Sequence, residues 1–363
     1  MLTLLFFSCW LQFEWDIQSD SLALYQDRVL PQQSHLAISQ RVRLNMSLWT
    51  ASDWQFEWAY EQGFLWQEHL LIPDYSGTLR FDDFNPVLED SQDSAWTHQL
   101  DRFLVKKDWG SWRLTLGRQA VGHGNGRFFN PSDIFSPLTP NALNTQYKRG
   151  IDGIRVGWNN GDQLELEVFY FFNEHLEDMA LIRGAGIIGN LDWSLYTGTS
   201  YEEWTTGADL AWTWGESSFY TEGVHRNGKE RRDPLRVSMG VQRRFGTRLD
   251  AILEFQYHSR GLASFEDLRM LPSMKELLWG ELFFLGRKHA ALFLNYELTP
   301  LLFSGLQWIH DASGDSDWLL LNFSWDLHEN GQLMGGYMHP EGPTLSEFGL
   351  YSPSFFTEFR WTF

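Results

Sequence analysis

Leu36-Ala37-Ile38-Ser39-Gln40-Arg41-Val42-Arg43-Leu44-Asn45-Met46-Ser47-Leu48 separates by parity into two sets. Leu36, Ile38, Val42, Leu44, Met46 and Leu48 share one side, and Ala37, Ser39, Arg41, Arg43, Asn45 and Ser47 share the other. Side chains of an extended chain point alternately to opposite faces, so this is a strand with one apolar and one ionised face. After a short turn over residues 50–53, Trp54, Phe56, Trp58 and Tyr60 oppose Gln55, Glu57 and Glu61. The pattern returns where Leu164, Leu166, Val168 and Tyr170 face away from Glu165 and Glu167. It returns again with Leu249, Ala251, Leu253, Phe255 and Tyr257 against Asp250, Glu254, Gln256 and His258, and over Leu319–Leu327. A soluble β-sandwich also alternates, but its strands are short and its apolar faces meet between two sheets. These segments run to about 10 residues or more, as a tilted membrane strand requires. The expected fold is all-β: a transmembrane antiparallel β-barrel with a wet, charged lumen.

Composition agrees. The chain of 363 residues is 43% hydrophobic, yet holds no uninterrupted apolar run of the roughly 18–20 residues that a spanning helix needs. It carries 19 Trp, 12 Tyr and 28 Phe, an aromatic load that suits girdles at two membrane interfaces. A net charge of −19 argues against nucleic acid, whose phosphates want the opposite sign. The single cysteine, Cys9, forms no intramolecular disulfide, and Phe7 and Ser8 before it make a poor lipid-attachment site. Residues 1–8 read as the remnant of a signal peptide without its basic start, and residues 9–363 as one barrel domain.

Tight polar turns fall at residues 108–111, 159–162, 215–217, 245–248, 299–301 and 328–332, between long irregular stretches at 67–96, 122–148, 173–202, 261–288 and 339–353. Short connections on one side and long ones on the other are the outer-membrane pattern. Counting 173–202 as one external excursion, with the apolar segment 191–197 inside it, predicts about 16 strands. The chain ends in Phe355, Thr357, Phe359, Trp361 and Phe363 alternating with Phe356, Glu358, Arg360 and Thr362. A final strand ending on an aromatic resembles the signal read by the barrel-assembly machinery, which makes Phe363 the candidate assembly residue.

The most distinctive segment runs from Leu114 to Arg155. It contains Leu116-Gly117-Arg118-Gln119, then Gly122-His123-Gly124-Asn125-Gly126, then Phe128-Phe129-Asn130-Pro131-Ser132-Asp133, and closes on Arg149-Gly150-Ile151-Asp152. It resembles the alginate-export-type porins and a wider set of bacterial outer-membrane porins. Leu285-Gly286-Arg287-Lys288-His289 and the run from Asp311 to Asp315 are similar to that set too. Relatives often have Trp-Gly where His123-Gly124 stands here. The resemblance implies a monomeric barrel that passes solutes or polymer.

Physically, the glycines permit sharp reversals, and Pro131, Pro137 and Pro140 stiffen the backbone on their C-terminal side. A loop of this kind is expected to fold inward and narrow the pore. Arg118, Gln119, His123, Asn130, Asp133, Arg149 and Asp152 are its candidate residues, either pinning the loop to the wall or touching solute. Inward parity makes Arg41, Arg43, Arg113, Arg155, Arg236, Arg244 and Arg360 lumen-facing, offset by Glu57, Glu61, Glu165, Glu167, Glu254, Glu297 and Glu358. His123 with Asn125 and Ser132 has no triad spacing, and the acidic run Asp311–Asp317 lacks the terminal Glu of a calcium loop. His258, His289 and His310 look scattered at strand ends. No catalytic group, metal or cofactor is therefore assigned. The expected function is an outer-membrane channel for small polar or anionic solutes, including acidic sugars or polysaccharide, with weak anion preference. A barrel hydrolase or a structural or adhesion barrel is the alternative. Expected partners are outer-membrane lipid, lipopolysaccharide, the assembly machinery and the solute.

Overall fold

The computed structural model describes residues 2–6, 11–29, 33–67, 87–90, 93–136, 147–161, 163–172, 178–200, 203–227, 235–265, 284–349 and 351–363. Chain order runs β1 (Leu2–Phe6), β2 (Leu11–Val29), β3 (Gln33–Thr50), β4 (Trp54–Gln67), β5 (Val87–Asp90), β6 (Ser94–Trp109) and β7 (Trp112–Gln119). After the glycine-rich loop come β8 (Ile151–Asn159), β9 (Leu164–Phe171), β10 (Met179–Ile188), β11 (Leu191–Ser200), β12 (Glu203–Trp214) and β13 (Ser217–Asn227). The rest are β14 (Leu235–Phe245), β15 (Leu249–His258), β16 (Lys288–Thr299), β17 (Leu302–Asp311), β18 (Ser316–His328), β19 (Gly331–Glu341) and β20 (Ser354–Thr362). Each wall strand pairs antiparallel with its neighbours, and β20 closes the ring on β2 from Gln18↔Thr362 to Gln26↔Ser354. The backbone N–H of Phe363 adds a bond of 2.8 Å to the Ile17 carbonyl at that seam. Closure leaves no free edge, which is what a sheet in hydrocarbon needs. The short β1 and β5 are additions along β2 and β6.

The wall has 18 strands, not about 16. Residues 173–202 are not one excursion: β10 and β11 form a hairpin there, turning at Gly189 with φ of 63°. Adding two strands keeps the tight turns on one side of the wall, while the β11–β12 connection on the other side is only two residues long. Residues 2–6 pair antiparallel with β2 as β1.

Burial is inverted relative to a soluble protein. Leu36, Ile38, Val42, Phe103, Val168 and Ile182 are exposed on the outside, whereas Arg43, Asp101, Glu167, Glu222 and Glu254 are buried inside. That inversion requires an apolar solvent outside and polar contents within. One irregularity matters for the lumen. The register of β4 on β6 slips between Ala59 and Tyr60, which turns Asp101 and Arg102 inward together.

Candidate constriction site

Beyond Gln119 the chain leaves β7 and enters the barrel. Irregular backbone at this depth needs acceptors for its N–H groups, because the surrounding wall has none to spare. Two wall carboxylates provide them. Glu222 of β13 accepts from the N–H groups of Asn125, Gly126 (2.6 Å) and Ser132 (3.2 Å). Glu254 of β15 accepts from Arg127 (2.6 Å), Phe128 (2.9 Å) and Phe129 (2.9 Å), and from the Tyr220 hydroxyl. Each carboxylate has about four lone-pair directions, so one side chain can hold several donors. Gly124 lets the carboxylate approach: its φ is 84°, and a Cβ there would lie 2.6 Å from Glu222 Oε2. Asn125 reaches Asp209 of β12 at 3.2 Å.

Apolar wedges complete the anchorage. Phe128 and Phe129 pack with Phe284, Ala291, Ile309, Trp318, Leu320 and Phe348. Ile134 and Phe135 pack with Val121, Ile151, Phe169 and Phe171, with the Phe135 and Phe171 rings 4.9 Å apart. Burying one such side chain contributes about 1.5–3 kcal/mol. The described part of the loop thus fastens to one half of the lumen, from β8 round to β18. Residues 137–143 of the expected constriction lie outside the described residues. Phe348 belongs to a second inward element, whose Glu347 accepts from the N–H groups of Leu285 (2.6 Å) and Gly286 (2.8 Å).

The sequence candidates separate into three groups. Asn130 and Asp133 brace the loop: Asn130 donates to the His123 carbonyl (2.7 Å) and accepts from the Asp133 N–H (3.1 Å), while Lys148 contacts the Asp133 carboxylate. Burial pushes Asp133 up to about 6 even against that lysine. His123 is enclosed by Phe135 and Phe169. Burial, then Arg183, Arg155 and Lys148, pushes it down to about 3, so it is uncharged at neutral pH.

Arg118, Asp152 and Gln119 hold the loop's base. Arg118 meets Asp152 through two bonds of 2.7 Å and donates to the Leu100 carbonyl at 2.8 Å. Register sets Arg118 beside the outward-facing Phe103, so the pair stands on the outer set of positions rather than in the aperture. Gln119 spans to the Gly153 carbonyl at 3.3 Å. Arg149 lies on the return leg beside Tyr147, whose ring sits 4.2 Å under the Arg43 guanidinium.

Arg41, Arg43, Arg113, Arg155 and Arg360 of the wall are the third group, and each meets a carboxylate. Asp20 accepts from Arg41 (3.0 Å) and Arg360 (3.0 Å). Arg43 meets Asp101 at 2.8 Å and Glu61 at 3.4 Å. Glu167 holds both Arg155 and Arg183, the latter at 3.0 Å and also 3.4 Å from Glu165. Arg113 pairs with Asp108 at 2.7 Å on the short-turn rim, well away from the loop. Arg127, which the sequence reading passed over, differs: its exposed guanidinium lies 5.5 Å from the Phe293 ring, with no carboxylate at ion-pair distance among the described residues. Glu222 was passed over as well, and Glu254 was read only as a lumen-facing acid. Nothing in the local sequence marks either as a loop anchor.

His258 and His289 are not scattered: both are buried on neighbouring strands, with His289 Nε2 3.7 Å from Asp311 and 3.9 Å from Glu347. The Asp311 carboxylate accepts from Ser313 (2.9 Å) and Gly314 (2.8 Å), closing a turn.

No protein-family model and no curated protein matches the chain. Solved structures do. Acinetobacter baumannii OccAB1 aligns over 97% of this chain and 96% of its own, with a TM-score of 0.62 and 11% identity. Acinetobacter baumannii OccAB4 aligns over 97% and 98% at 0.60 and 11%. Pseudomonas aeruginosa OccD3 (OpdP) aligns over 97% and 91%, again at 0.60 and 11%. Identity this low makes the likeness one of fold. These neighbours are outer-membrane porins of the Occ/OprD group, so the alginate-export resemblance drawn from residues 114–155 finds no support. Fold and inverted burial together make this chain a β-barrel of the bacterial outer membrane.

Proposed function

We propose that the barrel is a passive channel whose bore is narrowed by the fixed loop that starts at residue 120. The observation that carries this reading is the clamping of six loop N–H groups by two buried wall carboxylates, Glu222 and Glu254. A structural or adhesion barrel has no need of an ordered constriction, and a hydrolase needs a nucleophile and base in reach of each other. Small polar solutes fit the reading best, because the wall cations and carboxylates of β2, β3, β8–β10 and β20 pair off and leave little net field. Arg127 then supplies a weak preference for anions, acidic sugars and organic acids among them. Planar bilayers test the proposal: folded protein should give discrete single-channel steps, and liposomes carrying it should swell in small sugars but not in large dextrans. Folded protein that inserts without conducting would refute it.

A further inference from the structure

A buried histidine stands between two carboxylates where the second inward element meets the wall. The side chain of His289, near the start of β16, is fully enclosed. Neither of its ring nitrogens has a hydrogen-bond partner among the described residues. Its Nε2 lies 3.7 Å from Asp311 of β17 and 3.9 Å from Glu347, too far to bond either. Gly286 lets the three converge: a Cβ there would lie 3.1 Å from that nitrogen and would overlap the Asp311 carboxylate.

Both carboxylates are already in use as backbone acceptors. Asp311 takes the N–H groups of Ser313 and Gly314, and Glu347 those of Leu285 and Gly286. A carboxylate has about four lone-pair directions, so each can accept a further donor. An uncharged imidazole offers one donor and one bare nitrogen, which gains nothing from a carboxylate. A protonated ring offers two donors and a positive charge. The ring's other neighbours are Phe129 at 5.9 Å and Phe284 at 4.9 Å between ring centres. From β15 it meets His258, which lies in the field of Arg226, Arg236 and Arg260. Arg287 turns away to the Gly261 carbonyl at 3.1 Å, and Lys288 is exposed. The arginines act against a proton on His289, and the two carboxylates in ion-pair range act for it. Among the described residues, no three such side chains are placed to hold a metal ion.

We propose that His289 is an acid-operated latch: its protonation draws in Glu347 and Asp311 and fastens the inward element around Phe348 to the wall. Imidazole is the side chain that ordinarily changes charge between about pH 5 and pH 8. The element is therefore held on the acid side of that window and loosens as pH rises through it. The latch lies beside the constriction, and the inference does not depend on what the channel passes. Amide hydrogen exchange of the folded barrel tests it, at about pH 5.5 and about pH 7.5, corrected for intrinsic rates. The amides of Leu285, Gly286 and Phe348 should exchange about tenfold more slowly at the lower pH, the scale of one charge-assisted bond gained. His289→Phe, which keeps an aromatic ring but loses both nitrogens, and His289→Gln should each abolish the difference. Asp133→Asn should keep it, which separates the latch from titration in the constriction loop. Equal exchange of these amides at the two pH values in wild type would overturn the latch without recourse to any variant. So would a difference that survives in folded His289→Phe.

Discussion

Consider replacement of Glu254, whose carboxylate is fully buried against the loop. Its Oε1 accepts from Arg127 and Tyr220, and its Oε2 from Phe128 and Phe129. A glutamine keeps the shape but sets an N–H2 against at least one backbone N–H, whichever way the amide turns. An orphaned buried donor costs about 1–3 kcal/mol. Against this, the loss of charge removes part of the desolvation penalty that the carboxylate carries. Net weakening of about 1–2 kcal/mol is expected for Glu254→Gln, which lowers the docked-to-released ratio by roughly 5- to 30-fold. The barrel keeps its ladder, so heat-modifiable gel mobility should be unchanged. Open-channel noise should rise, mean conductance should increase, and trypsin should cut after Arg127 in folded protein. Wild-type conductance, noise and protease resistance in a folded Glu254→Gln barrel would show that the two carboxylates do not hold the constriction.

Arg127→Glu should move the reversal potential in a potassium chloride gradient toward cation preference, while Arg118→Ala should leave it nearly unmoved because that guanidinium stands on the outer set of positions against Asp152. Deleting Phe363, whose N–H bonds Ile17 at the seam, should trap the chain in the periplasm or in aggregates; normal outer-membrane yield would count against its role. Asp133 gives a pH test. Burial raises it from 3.8 to about 6, so its contribution to docking is full below the lower value and fades as pH climbs through the upper one. Conductance noise should therefore grow between about pH 4 and pH 7 in wild type and stay flat in Asp133→Asn.

The wall was legible wherever apolar and ionised residues alternate. Leu36, Ile38 and Val42 point out and Arg43 points in, as parity required. It was hidden where neither face contrasts with the other. In β10, Gly184, Ala185 and Gly186 interrupt the pattern, and Arg183 is the only charge. Without that strand, β11 had no partner for its tight turn, and both were absorbed into a loop. Turn chemistry did not reveal the hairpin either, since Gly189-Asn190 is short and flanked by apolar residues that read as more of the same segment.

The constriction was legible as a loop but not as a site, and the reason is separation along the chain. Glycines and prolines announce irregular backbone locally, whereas the groups that satisfy it come from strands about a hundred residues away. Glu222 and Glu254 lie 97 and 127 positions beyond their first loop partners, and nothing near them differs from any lumen-facing acid. The arginines misled for a related reason. Parity shows that a cation faces the lumen, but selectivity depends on whether a carboxylate already meets it. Lateral register decides that, as with Arg41 and Arg360 sharing Asp20 across two strand pairs. The net charge of −19 bears still less on permeation, because salt at about 0.15 M screens exposed charges beyond roughly 8 Å. An ion in the narrow part responds to what stands within that distance and is not already paired. Among the described loop residues that group is Arg127, held in place through its own backbone by Glu254.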